Sequence, residues 1–263
     1  SACYGHISYW TAWLKANYPV EFMAALLSNE ITNTDRIGVF VSECHHMDIE
    51  ILPPDVNNSQ LRFSPEKTRS GRMAIRYGLA AIKNVGGAAM AQAISAREEG
   101  GKFESLDDFA NRLDTKVVNK RILENLVRSG AMDWTRETRA GMFERLEPVC
   151  ASASAAQRDK KTGQGGLFDT MEFVATDSTG RGVKSEMKEW PKDERLEQEK
   201  ELLGFYVTGH PLDKYRALLN SDRFCKLGLL DDLDLSDKRE RLQFAGMIRQ
   251  IEHLTTGAGK PFG

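Results

Sequence analysis

The chain has 263 residues, 41% apolar and 28% charged, with a formal net charge of −2. That composition suits a globular protein of one or two domains and excludes a disordered chain or a wholly basic DNA-wrapping protein. No apolar run approaches the ~20 residues needed to span a membrane, and no signal peptide appears.

The first 60 residues read as helical. Ser8 to Asn17 is amphipathic, with Tyr9, Trp10, Trp13 and Leu14 at helical spacing, as core residues would be. Pro19 suits the first turn of a second helix, whose apolar face is Phe22, Met23, Leu26 and Leu27. Asn33 or Thr34 caps a third helix through Met47. Cys44-His45-His46 invites a zinc reading, but adjacent helical residues point apart and no second ligand pair follows, so no metal site is assigned. The four cysteines, Cys3, Cys44, Cys150 and Cys225, show no Cys-x-x-Cys and fit reduced thiols in a cytoplasmic protein. Ile49, Ile51 and Leu52 form a short extended run ending at Pro53-Pro54.

Between 61 and 150, Leu61-Arg62-Phe63 and Ala74 to Tyr77 read as two short strands around a polar turn. The next stretch, Tyr77 to Ala96, reads Y-G-L-A-A-I-K-N-V-G-G-A-A-M-A-Q-A-I-S-A: two short apolar helical segments around a tight Val85-Gly86-Gly87 turn. That is the pattern of a helix-hairpin-helix. Its usual form is apolar-x-Gly-apolar-Gly; here Asn84 fills the first glycine position, and Asn tolerates left-handed angles. Glycines let the backbone approach a ligand, and a helix start offers free N–H groups to an anion. Lys83 adds a full charge beside it, so Lys83, Asn84, Val85, Gly86 and Gly87 are candidate DNA-backbone contacts. The plain alternative is an ordinary helical corner. A helix from Ala88 to about Glu99 stops at Gly100-Gly101. Ser105 and Asp108 form a capping pair for the next helix. A second hairpin, degenerate because it lacks glycine, follows at Thr115 to Arg121. There Asn119 caps a helix through Arg128, and Lys116, Lys120 and Arg121 cluster at its start as further backbone contacts. From Glu66 to Arg145 there are 15 Lys and Arg against 11 Asp and Glu, so the basic excess coincides with the hairpins.

Ala151 to Gly166 is Ala/Ser-rich, then Lys/Gln/Gly-rich, and reads as a connector. Within it Leu167 and Phe168 follow Gln164 in a polar loop, where exposed apolar residues call for a partner. Trp190-Pro191 opens a helix through Leu202 that Gly204 ends. His210, in Gly-His-Pro, is a turn residue with no carboxylate partner pattern. From Arg241, Leu242, Phe244, Gly246 and Ile248 alternate as a strand. Asp231-Asp232-Leu233-Asp234 is an acidic loop or helix start.

The wording is more specific than these patterns. S-A-C-Y-G-H-I-S-Y-W-T-A-W-L-K-A-N-Y-P-V-E-F-M-A-A-L-L, I-L-P-P-D-V-N, Y-G-L-A-A-I-K-N-V-G, N-K-R-I-L-E-N-L-V-R-S-G-A-M-D and L-G-F-Y-V-T-G-H-P-L occur in that order. Together they closely resemble the bacterial replicative polymerases of the C family, the DNA polymerase III alpha subunits, over most of the chain. The chain begins without Met and reads as a piece of a longer protein.

The resemblance implies a mainly α architecture: the C-terminal part of a fingers domain at 1–60 and a tandem helix-hairpin-helix DNA-binding domain at 61–150. A flexible connector at 151–189, a helical connector at 190–221 and the start of an OB-fold at 222–263 would follow. It implies a DNA-directed DNA polymerase that transfers deoxynucleotides to a primer 3′ end. The aspartates that hold its Mg²⁺ would lie upstream, so this piece alone holds no catalytic residue and polymerises nothing. Implied partners are primer-template duplex, a sliding clamp, and proofreading and clamp-loader subunits. Gln164-Gly165-Gly166-Leu167-Phe168 resembles the family's internal clamp-binding peptide, with Gln164, Leu167 and Phe168 as contacts. Ser1 and Tyr4 fall near the family's incoming-nucleotide pocket. The competing reading is a non-catalytic helix-hairpin-helix DNA-binding or repair module. It explains Tyr77 to Arg128 but neither the N-terminal wording nor the clamp-like loop.

Overall fold

The computed structural model describes residues 2–162, 187–221, 223–225, 243–246, 254–255 and 261–262. The chain forms two units, Ser1–Thr208 and Gly209–Gly263. The described residues are mainly helical, with a small three-stranded sheet in the first unit.

Helix α1 (Ala2–Asn17) starts six residues before the expected Ser8. Pro19 stands in the first turn of α2 (Pro19–Asn29), and Asn33 caps α3 (Thr34–His46) by accepting the Arg36 N–H at 3.3 Å. Met23, Ala24 and Leu27 of α2 meet Ile37, Val41 and Cys44 of α3 in the core. α1 departs from its expected role. None of its residues is buried, and Tyr9, Trp10, Trp13 and Leu14 are exposed rather than core. Its apolar residues surround the helix: Tyr4, Ile7 and Leu14 share one side, Tyr9, Trp10 and Trp13 the other. No single neighbouring helix could cover both.

Strand β1 (Ile51–Leu52) pairs parallel to β3 (Met73–Arg76), and β2 (Ser64–Lys67) pairs antiparallel to β3 on its other side. The ladder therefore falls later than the expected Leu61–Phe63. Residues 60 and 61 do run beside the chain at 79 and 80, through Leu79 N–H to Gln60 O and Ala80 N–H to Leu61 O, both 3.0 Å. There, however, the partner is a 3-10 turn, not a strand. Glu66 and Arg76 form a bidentate cross-strand pair at 2.6 and 2.7 Å. Gly78 lies against this crossing: a Cβ on it would sit 2.5 Å from the Arg62 carbonyl carbon, so glycine is required by close approach.

The 3-10 turn Leu79–Ala81 leads into α4 (Gly87–Gly100), α5 (Leu106–Arg112) and α6 (Lys120–Arg128). Then α7 runs unbroken from Arg139 to Thr162 with Pro148 inside it. Residues 151–162, expected as connector, are thus helix. Alanine is the best helix former, and the segment is tied down: Ala153 is buried, and the Gln157 side chain bonds the Leu113 carbonyl and accepts the Thr115 N–H at 3.1 Å. α8 (Lys192–Leu203) ends at Gly204 in the left-handed region, φ 87°. It packs against α6, so it belongs to the body of the first unit.

In the second unit, His210 caps a 3-10 helix (Pro211–Tyr215) that runs into α9 (Arg216–Leu219). Strands β4 (Leu254–Thr255) and β5 (Pro261–Phe262) pair antiparallel. Residues 243–246, expected within a strand, lie outside any. The rest of the OB-fold expectation falls outside the described residues.

Candidate nucleic-acid interface

The first hairpin turn is built from the inside out. Val85 is buried, and its N–H is spent on Ile82 O at 3.1 Å. Its side chain packs the corner and offers nothing outward. Asn84 takes the left-handed conformation, φ 62°, as its place in the motif requires. Gly86 then caps α4 with extended angles and no side-chain hydrogen bond. The N–H groups of the first turn of α4 consequently have no intrahelical partner and no cap. A Cβ on Gly86 would meet nothing within 4 Å, so its glycine leaves open space rather than relieving a clash. Beside the turn lies an open cavity of about 440 Å³, lined by Ile31, Thr32 and residues 80–86. Lys83 is exposed there without an ion-pair partner among the described residues. The result is a positively biased, uncapped helix start facing open space.

The second hairpin repeats this plan 33 residues on. Lys83-Asn84-Val85-Gly86-Gly87 corresponds to Lys116-Val117-Val118-Asn119-Lys120. In each, a lysine stands three residues before the cap and a buried valine immediately before it. One difference decides the chemistry. Asn119 turns its side chain onto the Ile122 N–H at 3.1 Å, so one of the free donors of α6 is already occupied. Lys120 is engaged as well: its Nζ lies 2.9 Å from Glu147. That hydrogen bond raises the Lys120 pKa and lowers that of Glu147. Lys116 and Arg121 are exposed and have no ion-pair partner among the described residues. The first hairpin therefore offers backbone donors plus a cation, and the second offers cations.

Arg112 joins the two motifs. From α5 it reaches back to the carbonyls of Ala96 and Gly101 at the end of α4, over the Phe103 ring at 4.5 Å. Gly100 makes the room, since a Cβ there would lie 2.5 Å from the guanidinium. Asn57 exchanges two hydrogen bonds with the Phe103 backbone, 3.0 and 2.8 Å, while Arg97 binds the Val56 and Ser59 carbonyls, each at 2.8 Å. These residues frame the site and are invisible to local pattern, because their hydrogen bonds span 11 to 46 positions. A buried network braces the C-terminal side. Arg139 forks onto Asp133 at 2.6 and 2.8 Å and meets Glu199 at 2.9 Å.

The remaining expected site residues lie apart. Tyr4 is on the exposed α1. Ser1, Gln164, Leu167 and Phe168 fall outside the described residues. Burial pushes the Cys44 thiol up to about 12, which keeps it protonated and a poor ligand. Among the described residues no three His, Cys, Asp or Glu side chains converge to hold a metal ion. None of them is long enough and apolar enough as a helix to cross a membrane.

A family model described as a helix-hairpin-helix motif matches residues 48–142, which contain both turns. The similarity to whole proteins extends much further. The chain is 40% identical over 97% of its length to the DNA polymerase III subunit alpha of Borreliella burgdorferi. It is 36% identical over 100% to that of Vibrio cholerae and 38% over 98% to that of Deinococcus radiodurans. It spans only 22%, 22% and 19% of these relatives. With both hairpins in place and the similarity running through every element around them, the chain belongs to the DNA polymerase III alpha-subunit family, as a segment matching about a fifth of its members' length.

Proposed function

We propose that this segment grips the backbone of primer-template duplex within a replicative DNA-directed DNA polymerase. The observation that carries the reading is the uncapped start of α4 beside Lys83, paired with a second hairpin that presents Lys116 and Arg121. Donors and cations so arranged bind phosphate and carry no base readout, so they hold any sequence alike. Nucleotide transfer needs metal-bound carboxylates, and no residue described in this segment is assigned to that Mg²⁺. The segment is accordingly expected to bind duplex without extending a primer.

Each phosphate contact contributes about 0.9 to the slope of log K against log salt. Replacing Lys83, Lys116 and Arg121 together by Ala should weaken duplex binding and flatten that slope by about 2 to 3. A slope equal to that of the unchanged chain, or primer extension by the purified segment, defeats the proposal. A module unrelated to polymerases would account for residues 77–128 alone, whereas the similarity covers the chain from end to end.

The sliding clamp is the second partner in this reading. Gln164, Leu167 and Phe168 would supply a rim hydrogen bond and two apolar plugs. Ser1 and Tyr4 would border the nucleotide pocket of the full polymerase, which works in the cytoplasm with proofreading and clamp-loader subunits. Leu167→Ala with Phe168→Ala should abolish clamp capture by the chain, and undiminished capture removes the assignment.

A further inference from the structure

We infer that the C-terminal end of α8 and its exit, Leu202 to Phe205, are the positioning element of the first hairpin. The inference rests on the reading that this hairpin grips duplex. It places part of the grip well beyond residues 48–142, which carry the recognised motif.

Three contacts converge. The Lys83 N–H, immediately before left-handed Asn84, donates to Leu202 O at 2.9 Å. Tyr77, which enters the hairpin, is fully buried. Its hydroxyl lies 3.1 Å from Leu203 O and 3.2 Å from Ala81 O, so a single proton is shared between the hairpin and α8. Its ring lies 4.7 Å from Phe63 and 6.0 Å from Phe205. Burial also pushes the Tyr77 hydroxyl pKa well up, so it stays a donor.

The end of α8 is itself held from three sides. Gly204 takes φ 87° to close the helix, and its carbonyl oxygen lies only 3.2 Å from where a Cβ on Gly38 of α3 would stand. One turn earlier, Glu199 accepts from Arg139 at 2.9 Å, and from the Val207 and Thr208 N–H groups at 3.3 and 3.0 Å. Glu201 meets Arg128 of the second hairpin's helix at 2.8 Å. A fixed α8 end therefore fixes the Lys83 backbone, and with it the direction of the free N–H groups that follow. Backbone donors serve a ligand only when held within about 0.5 Å of the productive geometry.

A matched pair of substitutions separates positioning from general stability. Gly204 and Gly71 both take positive φ, 87° and 84°, so alanine strains the backbone at each. Gly71 lies in the β2–β3 turn, at the opposite end of β3 from Tyr77, and the nearest atom to a Cβ there is the end of the Lys67 side chain at 4.0 Å. Gly204→Ala should weaken duplex affinity by about fivefold or more, measured well below melting. Gly71→Ala should also lower the melting temperature yet leave duplex affinity within about twofold. Gly204→Asn, which tolerates the left-handed region, should restore most of the affinity. Tyr77→Phe, which keeps the ring and removes only the shared hydroxyl, gives an independent arm and should also weaken binding.

Equal affinities in Gly204→Ala, Tyr77→Phe and Gly71→Ala overturn the inference while the duplex reading stands, provided Lys83→Ala weakens binding. If Lys83→Ala leaves binding unchanged, the hairpin reading itself fails and the inference falls with it.

Discussion

Arg139 and Glu199 show how much of this unit's order depends on single buried groups. Their side chains are 2% and 1% exposed, and neither charge would be tolerated there alone. Asp133 takes one edge of the guanidinium, and the Glu199 oxygens are shared with Val207, Thr208 and Arg139. Removing Glu199 leaves the buried guanidinium to the half-exposed Asp133 alone and strands the Val207 and Thr208 N–H groups, which together cost about 3 to 5 kcal/mol. Glu199→Ala should therefore lower unfolding stability by about that amount in a urea titration. A loss below about 1 kcal/mol would show that Asp133 alone suffices for Arg139. Arg139→Met with Glu199→Leu should recover much of the deficit, since an apolar replacement of both partners removes the stranded charge. This network was not legible in the sequence. Its ends lie 60 positions apart, and nothing local distinguishes Glu199 from its acidic neighbours in α8. Residues acting within a few positions were legible. Asn33, Ser105 and Asn119 cap helices as their chemistry dictates, Asn84 adopts the left-handed turn, and Gly204 stops α8.

At the scale of elements, hairpin order was readable and its supports were not. The first arm of the first hairpin proves to be a single 3-10 turn, stabilised by the extended chain at 60–61 beside it. Composition made residues 151–162 look like connector, because alanine and serine without apolar periodicity carry no core signal. The helix persists because Ala153 is buried and Gln157 finds partners in the α5–α6 turn, a tertiary effect that overrides local reading. In α1 the error has the opposite sign. Aromatic spacing read as core, yet the described residues leave all of it exposed. The two hairpins also show that one plan yields different sites. A glycine cap leaves the first helix start open, and an asparagine cap fills part of the second.

For the first unit as a whole, carboxylates held in their charged form make stability depend on pH. Hydrogen bonding to Arg76 holds the Glu66 carboxyl below the usual range. Burial alone would raise Glu189. Three N–H groups, from Arg139, Trp190 and Ala140, outweigh it and hold its carboxyl low. Two of those N–H groups open α7, so Glu189 caps that helix from beyond residues 163–186. Glu43 and Glu147 are lowered too, by Lys15 and Lys120 at the surface, where salt screens the effect. A carboxyl whose folded pKa is depressed contributes stability that is complete above its unfolded value of about 4.3 and is lost as pH falls through the folded value. Lys120, raised in the folded state, has the opposite sign and matters only near and above its ordinary value of about 10.4. Unfolding free energy should thus stay level from pH 7 to about 5 and decline progressively below about 4.3. Glu189→Gln removes one of the responsible charges while keeping an acceptor. It should cost about 1 to 3 kcal/mol at pH 7 and make the decline below pH 4.3 shallower, so the two curves converge in acid. Denaturant titrations of both proteins between pH 3 and 7 read this directly, and parallel curves across that range would remove Glu189 from the acid response.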